Sequence, residues 1–320
     1  MHPTPSGRVV HSRFSFFAAC HTGGSIDTKK AVVLALVVNQ LLSTGTHLVG
    51  KATLNAIGPL STALLRFSVA SLALLTVHFL RPRRQRIARE DIPKILWVGF
   101  LAVPVNQGFF LFGLSESTAS HASLLYALTP LVVLLLARRF LGEAHQGAKL
   151  IGVVAAFLGA TLIFLDRGLA HELAVMRGDL FIFTAVVSWA VYTVASKELL
   201  KRYDPMTLTT WALVSGTLMS LPAALIPGAI PPLHSVPAAA WAGILYLGIG
   251  TSVVAYALWF YALRHLEASK VAITTNAQPV LTSALSWLLF HDRFGPAFFA
   301  GAALILGGVT WVETRKDGTG

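Results

Sequence analysis

Residues Pro205 to Leu263 read PMTLTTWALVSGTLMSLPAALIPGAIPPLHSVPAAAWAGILYLGIGTSVVAYALWFYAL, the longest run in the chain without Asp, Glu, Lys or Arg. A bilayer core of ~30 Å needs about twenty mostly apolar residues per helix, so this run is long enough for two crossings. Pro227-Gly228, Pro231-Pro232 and Pro237 punctuate it between 227 and 237 and divide it into two helices. Asp204 is the expected N-cap of the first. Pro205 stands in the first turn, where a missing N–H costs nothing.

The rest of the chain has the same character. Hydrophobic residues make up 55% and charged residues 12%, with mean hydropathy +0.68. A soluble domain carries about a quarter charged residues, so the solvent around most of this chain is lipid. The formal charge of +11 invites a nucleic-acid reading, but no long basic soluble segment exists to carry one. The single cysteine, Cys20, excludes an internal disulfide, a CxxC site and a thiolate metal cluster. No cofactor is expected.

Ten transmembrane helices are predicted, at residues 31–50, 59–80, 93–114, 118–138, 147–165, 179–197, 205–227, 237–262, 268–290 and 296–313. Prolines mark several starts: Pro59, Pro93, Pro205, Pro237 and Pro296. With the N-terminus in the cytoplasm, 20 Lys and Arg fall in inside segments and 4 (Lys51, Arg167, Arg177, Arg293) outside, with Arg66 alone inside a helix. That bias follows the positive-inside rule and puts both termini in the cytoplasm. Residues 1–30 and 314–320 are read as tails, and 167–178 as an external linker.

The two halves, 31–166 and 179–313, resemble each other. A shift of 149 lays Ala119-Ser120 on Ala268-Ser269, Pro130 on Pro279, Gly152 and Gly159 on Gly301 and Gly308, and Glu143 on Asp292. Near the start of each half a shift of 146 lays Lys51 on Lys197 and Pro59 on Pro205. Five helices is an odd number, so the second copy enters the membrane from the opposite side. The expected fold is therefore an all-α integral membrane protein of two inverted-topology five-helix repeats, an architecture many secondary transporters use.

On these residues the chain resembles a ten-helix EamA-type member of the drug/metabolite transporter superfamily. The carrying features are Lys51 and Lys197, Trp189 eight residues before the second Lys, and Arg66-Phe67 in the second helix. Pro130 and Pro279, Glu143 and Asp292, and the closing glycines of each repeat complete the set. Ser43 departs from it, standing where the family often has Trp. The resemblance implies a multi-pass plasma-membrane (bacterial inner-membrane) exporter or permease for small metabolites, often amino acids, without an ATP-hydrolysing part.

Interrupted helices near the midplane point to transport sites, because freed backbone groups bind solute there. The third helix carries Pro104-Val105-Asn106-Gln107-Gly108, and the eighth carries Gly248-Ile249-Gly250-Thr251-Ser252. Further breaks are expected at Pro130 and Pro279. Buried amides and hydroxyls make the polar part of the expected solute site: Asn39, Gln40, Asn106, Gln107, Ser252, Asn276 and Gln278. Tyr126, Trp189, Tyr192, Tyr256 and Trp259 make its aromatic part, suited to an apolar group or a cation. For each amide, interhelical hydrogen bonding is the competing explanation; for the aromatics it is a place in the membrane-interface belt.

Arg66 is read as either attracting a substrate carboxylate or snorkelling to the outer headgroups, with the structural role preferred because its repeat counterpart is Ala212. Lys51, Lys197, Glu143 and Asp292 are read as complements to helix dipoles. Small residues Gly152, Ala156 and Ala160 on the fifth helix, with Ala303 and Gly307 on the tenth, form seams that place these helices against each other or against a second copy in a homodimer. An intramembrane enzyme and a non-transporting scaffold are the rival classes; no HExxH, GxSxG or P-loop pattern stands in a suitable context. The partners expected are a small solute and membrane lipid.

Overall fold

The computed structural model describes residues 25–82, 84–117, 119–143, 147–166, 173–290 and 296–314. Residues 1–24 and 315–320 of the expected tails, 167–172 of the expected linker, Asp292 and Arg293 lie outside them, whereas 25–30 and 173–178 are helical. Among the described residues the chain is entirely helical: α1 (Ser25–Ile57), α2 (Pro59–Leu80), α3 (Ile92–Phe100), α4 (Gly108–Glu116), α5 (Ala119–Tyr126), α6 (Thr129–Leu141) and α7 (Gly147–Asp166). The second half holds α8 (Leu173–Leu199), α9 (Pro205–Ser220), α10 (Ala238–Leu245), α11 (Tyr256–His265), α12 (Ala268–Ile273), α13 (Ala277–Phe290) and α14 (Pro296–Thr314).

Two stretches of π-helix, Leu101–Gln107 and Tyr246–Ala255, join α3 to α4 and α10 to α11 without a break in winding. Among the described residues, six continuous helices are long and apolar enough to cross a membrane: Thr28–Ile57, Pro59–Leu80, Arg89–Glu116, Arg177–Leu199, Pro205–Leu225 and Ala238–His265. The helical stretches 119–141, 147–166, 268–290 and 296–314 pack around them.

Local rules set the ends. Asp204 caps α9, its carboxylate accepting from the Thr207 N–H at 3.0 Å. Pro59 and Pro205 occupy first turns, whereas Pro237 sits one residue earlier than expected, as the N-cap of α10. Apolar side chains such as Leu72, Leu80, Leu135 and Leu180 face outward while Asn39, Gln40, Arg66, Asn106 and Asn276 are buried. That arrangement is the reverse of a soluble fold and fits a lipid surround.

Glycine sets how closely helices meet. A Cβ at Gly99 would stand 2.5 Å from the Ala212 oxygen, and one at Gly159 would stand within van der Waals radii of the Gly301 oxygen. The second contact joins α7 to α14, the pair expected from the small-residue seam, but through Gly159 and Gly301 and not through Gly307, which faces open space.

The paired lysines differ from the sequence expectation in one respect. Lys51 lies before the end of α1, and its Nζ donates to the Leu114 oxygen (2.6 Å), the Ser117 oxygen (2.8 Å) and the Ser115 oxygen (3.3 Å) at the C-terminus of α4. Lys197 donates in the same way to the Leu263 and Leu266 oxygens at the end of α11. Each charge therefore complements a neighbouring helix's dipole; Lys197 also stands in the last turn of its own helix, as expected, and Lys51 does not. Glu143 likewise serves a neighbour, accepting from the Ala268 N–H (2.7 Å) and the Ser269 hydroxyl (2.6 Å) at the start of α12.

Candidate functional site

Asn39, Ser43, Thr46 and His47 recur at helical spacing along one face of α1 and look into a cavity of about 70 Å³ between the two halves. The other walls come from Arg66 on α2, Asn106 and Gln107 at the end of the first π stretch, and Phe110 and Tyr126 on α4 and α5. Trp189 on α8, Thr251 and Ala255 in the second π stretch, Tyr256 and Trp259 on α11, and Thr275 and Gln278 close it. Both π stretches reach the cavity. A π turn holds an extra residue, so successive side chains are separated by a smaller angle than in an α-helix, and such turns recur at functional sites. Here that winding buries the neighbouring pairs Asn106-Gln107 and Thr251-Ser252 together. Pro104 helps to explain the first stretch, since its ring removes an N–H from the α-helical ladder.

Arg66 ties the two stretches together. Its side chain is buried, 1% exposed, and does not reach outward as a snorkelling residue would. Nε donates to Ser252 Oγ (2.8 Å) and the Leu247 oxygen (3.1 Å), Nη1 to Gln107 Oε1 (2.9 Å), and Nη2 to Thr251 Oγ1 (2.8 Å). All of these acceptors are uncharged.

The amides form two relays. In the first, Gln278 donates to Gln40, Gln40 donates to Thr274 and Asn39, and Asn39 Nδ2 donates to the Ala255 oxygen at 2.7 Å. In the second, Gln107 donates to Asn106, whose Nδ2 donates to the Ala185 oxygen at 2.7 Å and to Tyr126 Oη at 3.1 Å. His47 Nε2 lies 3.1 Å from Gln278 Oε1, and its ring meets Phe110 and Tyr126 edge-on. The aromatic wall centres on Trp189, whose ring lies 5.0 Å from Tyr192, 5.2 Å from Tyr256 and 5.4 Å from Trp259.

Of the residues singled out by sequence, Asn39, Asn106, Gln107, Tyr126, Trp189, Tyr256, Trp259, Gln278 and Arg66 line the cavity. Gln40, Tyr192, Ser252 and Asn276 stand behind it: Gln40 and Ser252 hold lining residues in place, and Tyr192 backs Trp189. Asn276 is fully buried with neither amide atom paired among the described residues. The interruption expected at Gly250 is a π-wound continuation, as at Pro104. Pro130 follows a turn at Ala127-Leu128, and Pro279 follows a 3₁₀ turn, Thr274–Asn276. Thr46, His47, Phe110, Ala255 and Thr275 line the cavity without having been singled out, as do Ser43, noted only as a departure from the family, and Thr251, noted only within the eighth-helix break. Counting in fours from Asn39 would have reached Ser43 and His47.

The EamA-like transporter family model matches this chain twice, over residues 29–165 and 176–314. The chain belongs to that family. A transporter of Archaeoglobus fulgidus named as uncharacterized is 30% identical over 288 residues, spanning 90% of this chain and 99% of its own. A "probable terminal-alkyne amino-acid exporter" of Streptantibioticus cattleyicolor is 29% identical over 287 residues, spanning 89% and 94%. A crystal structure at 20% identity superposes with TM-score 0.73 over 89% of this chain and 98% of that one, which shows the fold. This EamA-like transporter is thus a multi-pass membrane protein with a small-molecule solute. Its cavity holds no group of three His, Cys, Asp or Glu among the described residues that would take a metal.

Proposed function

We propose that this chain is a secondary transporter, most simply an exporter, that moves a small metabolite such as an amino acid across the plasma membrane by alternating access. Ten spans in two inverted five-helix repeats, with both termini cytoplasmic, supply the architecture: the six long apolar helices and the four further helical stretches fit that count. The observation that carries the reading is the cavity at which both π stretches and the matching helices α1 and α8 converge. A site shared between two halves is one that rocking of one half against the other would expose to each side in turn. Lipid, or a second copy in a homodimer, covers the exposed Ile151, Leu158 and Phe299 of α7 and α14.

Solute counterflow in proteoliposomes, with a panel of amino acids and small metabolites, tests this. Wild type is expected to exchange at least one solute saturably. Gln278→Ala breaks the first amide relay and should slow that exchange about tenfold or more while the protein still elutes as a folded species, given the ~1–3 kcal/mol cost of an orphaned buried partner. Folded, inserted protein that exchanges nothing on a broad panel would sink the proposal.

A further inference from the structure

We infer that the cavity grips its solute by a carboxylate on Arg66, with an apolar body against the Trp189–Trp259–Tyr256 wall and with no requirement for an amino group. This rests on the transporter reading above and names the solute class of the same site.

The hydrogen-bonding accounts of the cavity decide it. A guanidinium has five N–H donors. The bonds of Arg66 use three of them, all on uncharged acceptors, so among the described residues two N–H groups are left over and the positive charge meets no anion, only the Phe67 ring at 4.9 Å. Buried charges are as a rule paired, and among the described residues no Asp or Glu lines this cavity. Trp259 is 2% exposed and lines the cavity, and its Nε1–H has no partner. By contrast, each amide oxygen on the cavity wall already accepts: Asn39 from Gln40, Asn106 from Gln107, Gln107 from Arg66, and Gln278 from His47. His47, with Nε2–H donating to Gln278, leaves Nδ1 as an unpartnered acceptor, and the Tyr256 hydroxyl is unpartnered as well among the described residues. The site therefore offers free donors on Arg66 and Trp259 and holds one cation, which suits a monoanionic acceptor such as a carboxylate.

The same inventory excludes other classes. A doubly charged phosphate would face a single cation, and a cationic solute would share a low-dielectric space with Arg66. An amino acid fits through its carboxylate; its ammonium meets no carboxylate in return, only a neutral acceptor such as His47 Nδ1 or an aromatic face. The planar fork of Arg binds a carboxylate in a way that Lys does not reproduce.

Three ligands of one shape separate the possibilities: valine, valinamide, which lacks the carboxylate, and 3-methylbutanoate, which lacks the amine. Binding to detergent-solubilised protein is read from the fluorescence of the wall tryptophans, and competition is read in counterflow. Valine and 3-methylbutanoate should bind and compete, with valinamide weaker by about tenfold or more, the scale of a charge-assisted hydrogen bond. Arg66→Gln should erase that preference. Because Arg66→Gln is a core change, Trp259→Phe, which keeps the ring packing, gives a second reading: carboxylate competition should weaken several-fold. Valinamide matching valine, or a preference that survives Arg66→Gln, would overturn the inference. If the wild type exchanges other solutes but neither acid, the transporter reading stands and the carboxylate falls. If nothing is exchanged, both fall.

Discussion

The two π-wound stretches occupy matching places in the two halves yet carry different chemistry. Leu101–Gln107 ends in a pair of amides, and Tyr246–Ala255 carries a pair of hydroxyls, Thr251 and Ser252. Arg66 bonds to both stretches, while its counterpart, Ala212, offers nothing polar from its side chain. The backbone frame is repeated and the side chains on it are not, which is what lets a duplicated scaffold build one directional site. The glycines behind the stretches make the comparison testable. Gly99 and Gly248 match under the shift of 149. A Cβ at Gly99 meets backbone at 2.5 Å (Ala212 O) and 2.9 Å (Gly216 N), whereas one at Gly248 meets the Arg66 oxygen at 3.0 Å and the Val69 side chain at 3.1 Å. Gly99→Ala should therefore cost about 2–3 kcal/mol, and Gly248→Ala about 1 kcal/mol or less. Thermal unfolding in detergent reads the difference; equal losses would mean the halves are packed alike.

A second pair of contacts repeats with its chemistry exchanged. Asn39 donates to the Ala255 oxygen and Asn106 to the Ala185 oxygen; the shift of 146 carries Asn39 to Ala185, and 149 carries Asn106 to Ala255. The two repeat-related contacts are thus each sealed by one amide, both donated from the first half to the second, from opposite members of the matching pair. Asn106 also holds Gln107 and Tyr126, while Asn39 holds Gln40 in addition to Ala255. Asn106→Ala should cost about 2 kcal/mol and Asn39→Ala somewhat less, each leaving buried groups unmatched. Unfolding midpoints that fall in the reverse order would show that the second relay does not stiffen the first half.

Much of this was legible in the sequence, and the reason differs by element. Composition and proline spacing located the helices because lipid demands long apolar runs, and Pro59, Pro205 and Pro296 open helices where expected. The polar and aromatic residues at depth stood out because each is costly in lipid unless turned inward. Which of them reach open space was not legible. Gln40 and Asn39 are neighbours in sequence, yet only Asn39 lines the cavity, a matter of how α1 is rotated against α11 and α13. Nor does a sequence pattern distinguish a π-wound stretch from a broken helix, since Pro and Gly produce both. Arg66 was weighed toward a structural, headgroup-reaching role because its repeat counterpart is Ala212. What removes the reach to the headgroups is its tertiary partners, Gln107 in the same half and Thr251 and Ser252 in the other.

The lysine tethers give the finest comparison, because here the two halves do agree. Lys51 reaches the Leu114 and Ser117 oxygens, and Lys197 reaches the Leu263 and Leu266 oxygens, so both acceptors in each set match under the shift of 149. Each ammonium closes the C-terminus of the helix that carries a π stretch, where unsatisfied carbonyls concentrate partial negative charge. If these tethers only cap helices, Lys51→Met and Lys197→Met should each cost about 1 kcal/mol and leave counterflow rates in both directions equal to wild type. If they also steady the π-bearing helices as the halves rock, each substitution should alter exchange, and the double variant should fall further than the two single losses combined. Rates measured in right-side-out and inside-out vesicles separate the cases: two helix caps that are only structural give the same small stability loss and no preference for either side.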